Sequence, residues 1–206
     1  MKDYIAELLE KYPDIKCIEK DIREAYELIA GTYANGHFLL VGGNGGSAAD
    51  AAHMTGELMK SMNVARPLDD DIRKKFADIG GNRGLVLGTA LERAYPTIDI
   101  TSSPVFTTAF ANDQDSVNAF AQLVLGYGRE GDTFLAISTS GNSENIIRAA
   151  IVAKAKGLKV IALTGKGGGE LVKYADVSVI VPADNTPDVQ ERHLPIYHAW
   201  CKQIES

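Results

Sequence analysis

The sequence predicts an α/β protein, a three-layer sandwich in which helices flank a central parallel sheet, with further helices at the N-terminus. Three observations lead there. Short apolar runs recur at 37–41, 97–101, 133–137, 159–163 and 177–181. Most run into a glycine- or hydroxyl-rich loop and then into a helical pattern. The order strand, loop, helix repeats, and such repeats build parallel sheets with helices on both faces. Right-handed crossovers then bring every loop that follows a strand to one edge of the sheet, where ligands bind.

The elements follow in order. Residues 2–11 read as a short helix, interrupted at Pro13. Asp14 is placed to cap a longer helix to about Tyr33, with apolar residues at Ile15, Ile18, Ile22, Ala25 and Ile29. Gly36 ends it, and 37–41 form the first strand. A loop at 42–47 leads to a helix over 48–62. Residues 63–97 have room for one or two short helices. After the strand at 97–101 come helices at 103–112 and 115–126. The strand at 133–137 is followed by "STSGNS" and a helix at 143–156. The strand at 159–163 is followed by the turn "TGKGGG" and a short helix at 169–174. The last strand, 177–181, precedes a helix from Pro187 or Asp188 to about Gln203, in which Pro195 marks either a kink or a later start.

The 206 residues are 45% hydrophobic and 23% charged, which suits one domain over 1–206. A net charge of −6 argues against nucleic acid as partner. Cys17 and Cys201 lack paired spacing and read as reduced thiols. With no apolar run of membrane-spanning length, the sequence predicts a soluble, cytoplasmic protein without a membrane partner.

Two loops look built for an anion. "GGNGGSAAD" carries Gly43-x-Gly45-x-x-Ala48, a pattern shared with dinucleotide-binding turns, but the next strand offers no clear acidic partner for a ribose. Ser138, Thr139, Ser140 and Ser143 put four hydroxyls in six residues before a helix, where free N–H groups and the helix dipole favour a phosphate. Helix capping by Ser140 or Asn142 would need only one of them. Neither loop holds a lysine or arginine, which fits a monoester rather than a triphosphate.

Chemistry needs more than anchoring. His53 and Glu57 are four apart on a helix and share a face; they can be metal ligands, an acid/base pair or a surface hydrogen bond. "VQERHLPIYHAW" adds Gln190, His193 and His198. Gln190 and His198 are eight apart, a rise of ~12 Å in a helix. One metal can take both only if Gln190 precedes the helix or the two come from different subunits. His193 and His37 read as structural. Asn112-Asp113, at a helix end, can cap a turn or bind sugar hydroxyls.

Together, "GNGGSAADAAHMTGE", "ANDQD", "REGDTFLAISTSGNSENIIRAA", "GLKVIALTGKGGG" and "VQERHLPIYH" resemble the phosphoheptose isomerases of the sugar isomerase (SIS) domain family. The resemblance implies interconversion of sedoheptulose 7-phosphate and glycero-manno-heptose 7-phosphate through an enediol. It implies a homotetramer with active sites between subunits. It implies zinc held by His53, Glu57, Gln190 and His198, with Glu57 and His198 moving protons. The substrate would be bound by Asn44, Gly45, Gly46, Ser47, Asn112, Asp113, Ser138, Thr139, Ser140, Ser143 and Gln190. Residues 68–94 depart from the family pattern as an insertion; with Arg73, Lys74, Lys75, Arg83 and Arg93 it is either a solvated charged surface, or a lid or enlarged subunit contact near the active site that meets a substrate phosphate. The alternatives are an isomerase of another phosphosugar, a non-catalytic SIS phosphosugar-binding or adaptor protein, and, on the glycine pattern alone, a dinucleotide enzyme.

Overall fold

The computed structural model describes residues 2–206. Five parallel strands, β1 (Leu39–Gly42), β2 (Thr97–Asp99), β3 (Thr133–Ser138), β4 (Lys159–Thr164) and β5 (Val177–Ile180), lie in the order β2-β1-β3-β4-β5. The direction of winding reverses between β1 and β3, which makes the carboxyl ends of those two strands the natural ligand crevice. Their register is Leu39 with Thr133 through Gly42 with Ala136.

Strand side chains alternate between faces, and each face meets its own helical layer. Leu39, Val41, Leu135, Ile137, Ile161 and Leu163 pack with residues of α1 (Tyr4–Lys11), α2 (Glu19–Ala34), α3 (Gly46–Met59) and α9 (Thr186–Glu205). Leu40, Phe134, Ala136, Val160 and Ala162 pack with α7 (Ala119–Tyr127) and α8 (Glu144–Ala155). The predicted three-layer sandwich is the observed one. Trp200 of α9 is fully buried and donates its indole N–H to the Ile22 carbonyl at 3.0 Å, tying α9 to α2. Among the described residues, no helix is long and apolar enough to cross a membrane. Cys17 is exposed, Cys201 is buried, and both are free thiols.

Three local expectations are corrected. Asp14 caps no long helix: Pro13–Ile18 form a tight 3-10 turn, α2 starts at Glu19 without a side-chain cap, and the Asp14 carboxylate accepts from Arg192 Nε at 2.8 Å instead. A charged partner on α9 outcompetes a local cap. Pro195 neither breaks nor delays α9, which starts at Thr186 and runs through it; the carbonyl left without its N–H belongs to Glu191, an exposed residue. The strand after α3 does end in an acid, Asp99, but its carboxylate takes the Thr101 N–H and hydroxyl at 2.8 and 2.6 Å.

The insertion is a helical hairpin, α4 (Asp70–Gly80) and α5 (Asn82–Ala90). Its stem is closed by a Pro67–Glu92 bridge and by the Arg93 N–H on the Arg66 carbonyl at 2.8 Å. The helices touch closely because Gly84 lies against the Phe76 backbone, where any Cβ would collide with the Phe76 carbonyl. α4 buries no residue, and α5 buries only Gly84 and Gly88. The remaining helix, α6 (Pro104–Asp113), likewise buries none.

Candidate active site

The first loop leaves β1 through Gly43 and Gly45. A Cβ at Gly43 would press on the Ser47 backbone, and Gly45 holds φ +54° at the start of α3, where no side chain caps the helix. The N-terminus of α3 is therefore bare and crowded by small residues, with Asn44, Gly45 and Gly46 exposed and Ser47 buried. Gln190 of α9 reaches this end: its side-chain amide lies where a Cβ on Gly46 would have to go.

In the second loop Ser143, not Ser140 or Asn142, is the N-cap residue of α8, and its hydroxyl does not cap. Ser143 Oγ instead lies 3.1 Å from Ser138 Oγ, and Ser140 Oγ accepts the Asn142 N–H at 3.2 Å. Thr139 gives its carbonyl to the Gly165 N–H at 3.1 Å. Gly141, at φ +65°, passes so close to the Gly168 carbonyl that no other residue fits. Asn44 and Asn145 exchange two amide hydrogen bonds of 2.9 Å, fastening one loop to the other across the crevice between β1 and β3.

The titratable groups gather further along α3. Glu57 Oε1 is 3.2 Å from His53 Nε2 and 3.5 Å from His198 Nε2. The Glu57 side chain is 14% exposed, its Oε2 is buried with no hydrogen-bond partner, and His198 Nε2 is likewise unpartnered. One ligand atom from each of the three lies within 4.8 Å of the others. A tetrahedral zinc with ~2 Å bonds separates its ligands by ~3.3 Å, so these spacings and the orphaned atoms fit a divalent cation held by His53, Glu57 and His198. Burial pulls the His198 imidazole below its ordinary value, with Glu57 opposing, so the ring favours its neutral, ligating form.

The surroundings hold this group still. Arg66, buried, donates to the carbonyls of Leu58 and Glu57 at 3.0 and 3.3 Å, and its Nε lies 3.5 Å from Glu205 Oε1. Burial, and then Glu57, push the Cys201 thiol well up, so it stays protonated beneath the carboxylate. Tyr197 places its hydroxyl 3.0 Å from His53 Nδ1 and 3.3 Å from Asp50 Oδ1. Burial raises the Asp50 carboxyl, opposed by the Tyr197 hydrogen bond and His53. The sequence reading passed over Asp50, Tyr197 and Arg66; the one signal was Asp50 three residues before His53, on the same face of α3.

The expected site residues thus fall into three places. Asn44, Gly45, Gly46, Ser47, Ser138, Thr139, Ser140, Ser143 and Gln190 belong to the crevice. His53, Glu57 and His198 form one cluster, eleven positions beyond Gly46 at Glu57, a rise of ~16 Å along α3. Gln190 lies inside α9, not before it, and beside Gly46 rather than with the cluster. Asn112 and Asp113 sit exposed at the end of α6, Asn112 donating to Asp113 at 2.9 Å. His193 is fully buried and burial lowers it to about 4, which keeps it neutral. His37 lies 3.7 Å from Asp132, whose carboxylate takes the N–H of Phe38. In the insertion, Arg73 and Arg93 approach Asp70 and Asp69 at 3.6 and 3.9 Å, while Lys74, Lys75 and Arg83 are exposed.

The profile of the SIS domain matches residues 3–96 and 100–165. The chain is 38% identical to the phosphoheptose isomerase of Sulfurimonas denitrificans over 213 aligned positions, covering 100% of this chain and 95% of that one. It is 37% identical to the phosphoheptose isomerase of Geotalea daltonii, covering 89% and 82%. Among solved structures, the phosphoheptose isomerase of Francisella tularensis superimposes with a TM-score of 0.78 at 30% identity, covering 98% and 94%. That of Neisseria gonorrhoeae does so with 0.76 at 31%, covering 97% and 94%.

Proposed function

The chain belongs to the SIS domain family, and on that premise we propose that it is a phosphoheptose isomerase converting sedoheptulose 7-phosphate to glycero-manno-heptose 7-phosphate. The observation that carries this is Glu57, with an imidazole on either side, in a chain that also presents two small, lysine-free turns at its sheet crevice. Aldose–ketose isomerisation moves a proton between neighbouring carbons while another shifts between their oxygens. A carboxylate and an imidazole within ~3 Å of those protons suffice. Glu57 and His198 are that pair. The phosphate rests on the hydroxyls of Ser138, Thr139, Ser140 and Ser143 and on the bare start of α8, as it does in other helix-terminus anion sites. Asn44, Gly45, Gly46, Ser47 and Gln190 hold the sugar at the start of α3, and Asn112 and Asp113 take further hydroxyls. Anchoring at the phosphate holds the reacting carbons still against the acid and base.

His53, Glu57 and His198 would hold zinc, with Gln190 completing the set from a second subunit. When bound, zinc supplies a Lewis acid that lowers the energy of negative charge on the sugar oxygens. The position of Gln190 beside Gly46 in its own chain supports a partner-derived fourth ligand. The rise of about 10 to 16 Å along α3 from Gly46 to His53 and Glu57 supports the same arrangement, a homotetramer in which the turns of one subunit face the cluster of another. The two free thiols and a single domain over 1–206 suit a cytoplasmic enzyme.

The deciding experiment incubates purified protein with sedoheptulose 7-phosphate, before and after chelation and with zinc restored. The aldose should form, stop with the chelator and return with zinc. Phosphosugar binding without any aldose would reduce the protein to a binding module.

A further inference from the structure

The cluster's second layer carries an asymmetry that fixes where protons lie. Asp50 and His53 are on α3, Tyr197 is on α9, and the phenol oxygen stands between them at 3.3 Å from Asp50 Oδ1 and 3.0 Å from His53 Nδ1. Tyr197 is fully buried, and Asp50 Oδ2 is buried without a partner. A phenol has one proton to give. Given to His53, it would leave both oxygens of the half-buried Asp50 carboxylate with no donor, which is the costlier arrangement. Given to Asp50, it turns the phenol oxygen into an acceptor, and the N–H it accepts can only come from His53 Nδ1.

We propose that Asp50 and Tyr197 are positioning residues that fix His53 as the Nδ1–H tautomer, so that its Nε2 lone pair faces Glu57. The consequence is visible in the cluster. Nε2 and the Glu57 carboxylate oxygen, 3.2 Å apart, are then both acceptors and need a cation between them. An imidazole with the proton on Nε2 would instead hydrogen-bond Glu57 and close the site. The chain Asp50–Tyr197–His53 thus keeps the ligand atom open by a hydrogen bond to the other nitrogen, as metal-binding histidines commonly require. This inference rests on the proposed metal site, but the tautomer itself does not need a metal to be observed.

The test uses the full-length assembly labelled with ¹⁵N-histidine and stripped of metal by chelation. The chain has four histidines, and His53→Gln identifies the signal of His53. The wild type should show protonated Nδ1 and unprotonated Nε2. Tyr197→Phe should lose that preference. Asp50→Ala should reverse it, because the freed Tyr197 hydroxyl then donates to Nδ1 and drives the proton to Nε2. Zinc affinity, read by competition with a chelator, should fall ~10–100-fold in both variants, further in Asp50→Ala, at unchanged melting temperature. A wild type protonated at Nε2, or one tautomer common to all three proteins, overturns the inference. If the tautomers follow expectation and the wild type takes up no zinc, the positioning assignment stands and the metal reading above falls.

Discussion

At Glu57 one carboxylate oxygen faces two imidazoles at 3.2 and 3.5 Å while the other oxygen is buried without a partner. A buried polar atom left unsatisfied costs stability, so the residue is kept for something other than the fold. Glu57→Gln and His198→Ala should each lower turnover at least ~100-fold, the usual share of acid–base catalysis, with the circular dichroism spectrum unchanged; near-normal turnover removes that residue from the scheme. His193 is the contrast, a histidine on the same helix with a purely structural outcome. Its folded value of about 4 lies below the ordinary 6.5. Between those values the unfolded chain takes up the proton and the folded one does not. Stability is therefore full above pH 6.5 and declines as pH falls toward 4. The loss amounts to roughly 3 kcal/mol at ~1.4 kcal/mol per unit. Urea titrations at pH 7 and pH 4.5 should show His193→Leu losing less on acidification than the wild type; an equal loss in both would place the acid sensitivity elsewhere.

Among the elements, α3 and α9 do the most. α3 carries Gly46 at its start and His53 and Glu57 further along; α9 carries Gln190, Tyr197 and His198 against them. The two helices pack side by side, so Gln190 meets the start of α3 and His198 meets Glu57 further along. The α4–α5 hairpin has the opposite character. It is closed by its own stem and buries only its own glycines, while Ile79, Leu85, Val86 and Leu87 remain exposed, Ile79 at 88%. Replacing 70–90 by a short Gly-Ser turn should leave cooperative unfolding and the sheet intact, since no apolar side chain of the hairpin belongs to the core. Loss of the cooperative transition in a calorimetric scan would make the hairpin part of the folding unit.

For the molecule as a whole, the separation of Gly46 from His53 and Glu57, a rise of about 10 to 16 Å along α3, predicts a shared site. Ser138→Ala combined with Ser143→Ala removes two phosphate hydroxyls from the crevice, and Glu57→Gln disables the cluster. Mixed subunits of the two inactive variants, unfolded and refolded together in equal amounts, should recover about a quarter of wild-type activity, because one interface in about four pairs an intact crevice with an intact cluster. Mixtures as inactive as their parents would confine each site to one chain.

By itself the sequence determined the architecture and nominated the candidate site residues. Hydrophobic runs of strand length followed by loop and helix leave little but a parallel sheet between helical layers, and the two hydroxyl- and glycine-rich turns sit after strands wherever the chain folds that way. Spacing of four put His53 and Glu57 on one face. Only the tertiary structure decided that His198 joins them within one chain while Gln190 lies beside Gly46, because that depends on how two helices distant in sequence are aligned. It also decided that Asp14 serves Arg192 rather than a helix end, that Ser143 turns to Ser138, and that Asp50 and Tyr197 stand behind His53. Periodicity reports what faces inward; which polar groups meet there is set by packing between elements, and local patterns do not contain it.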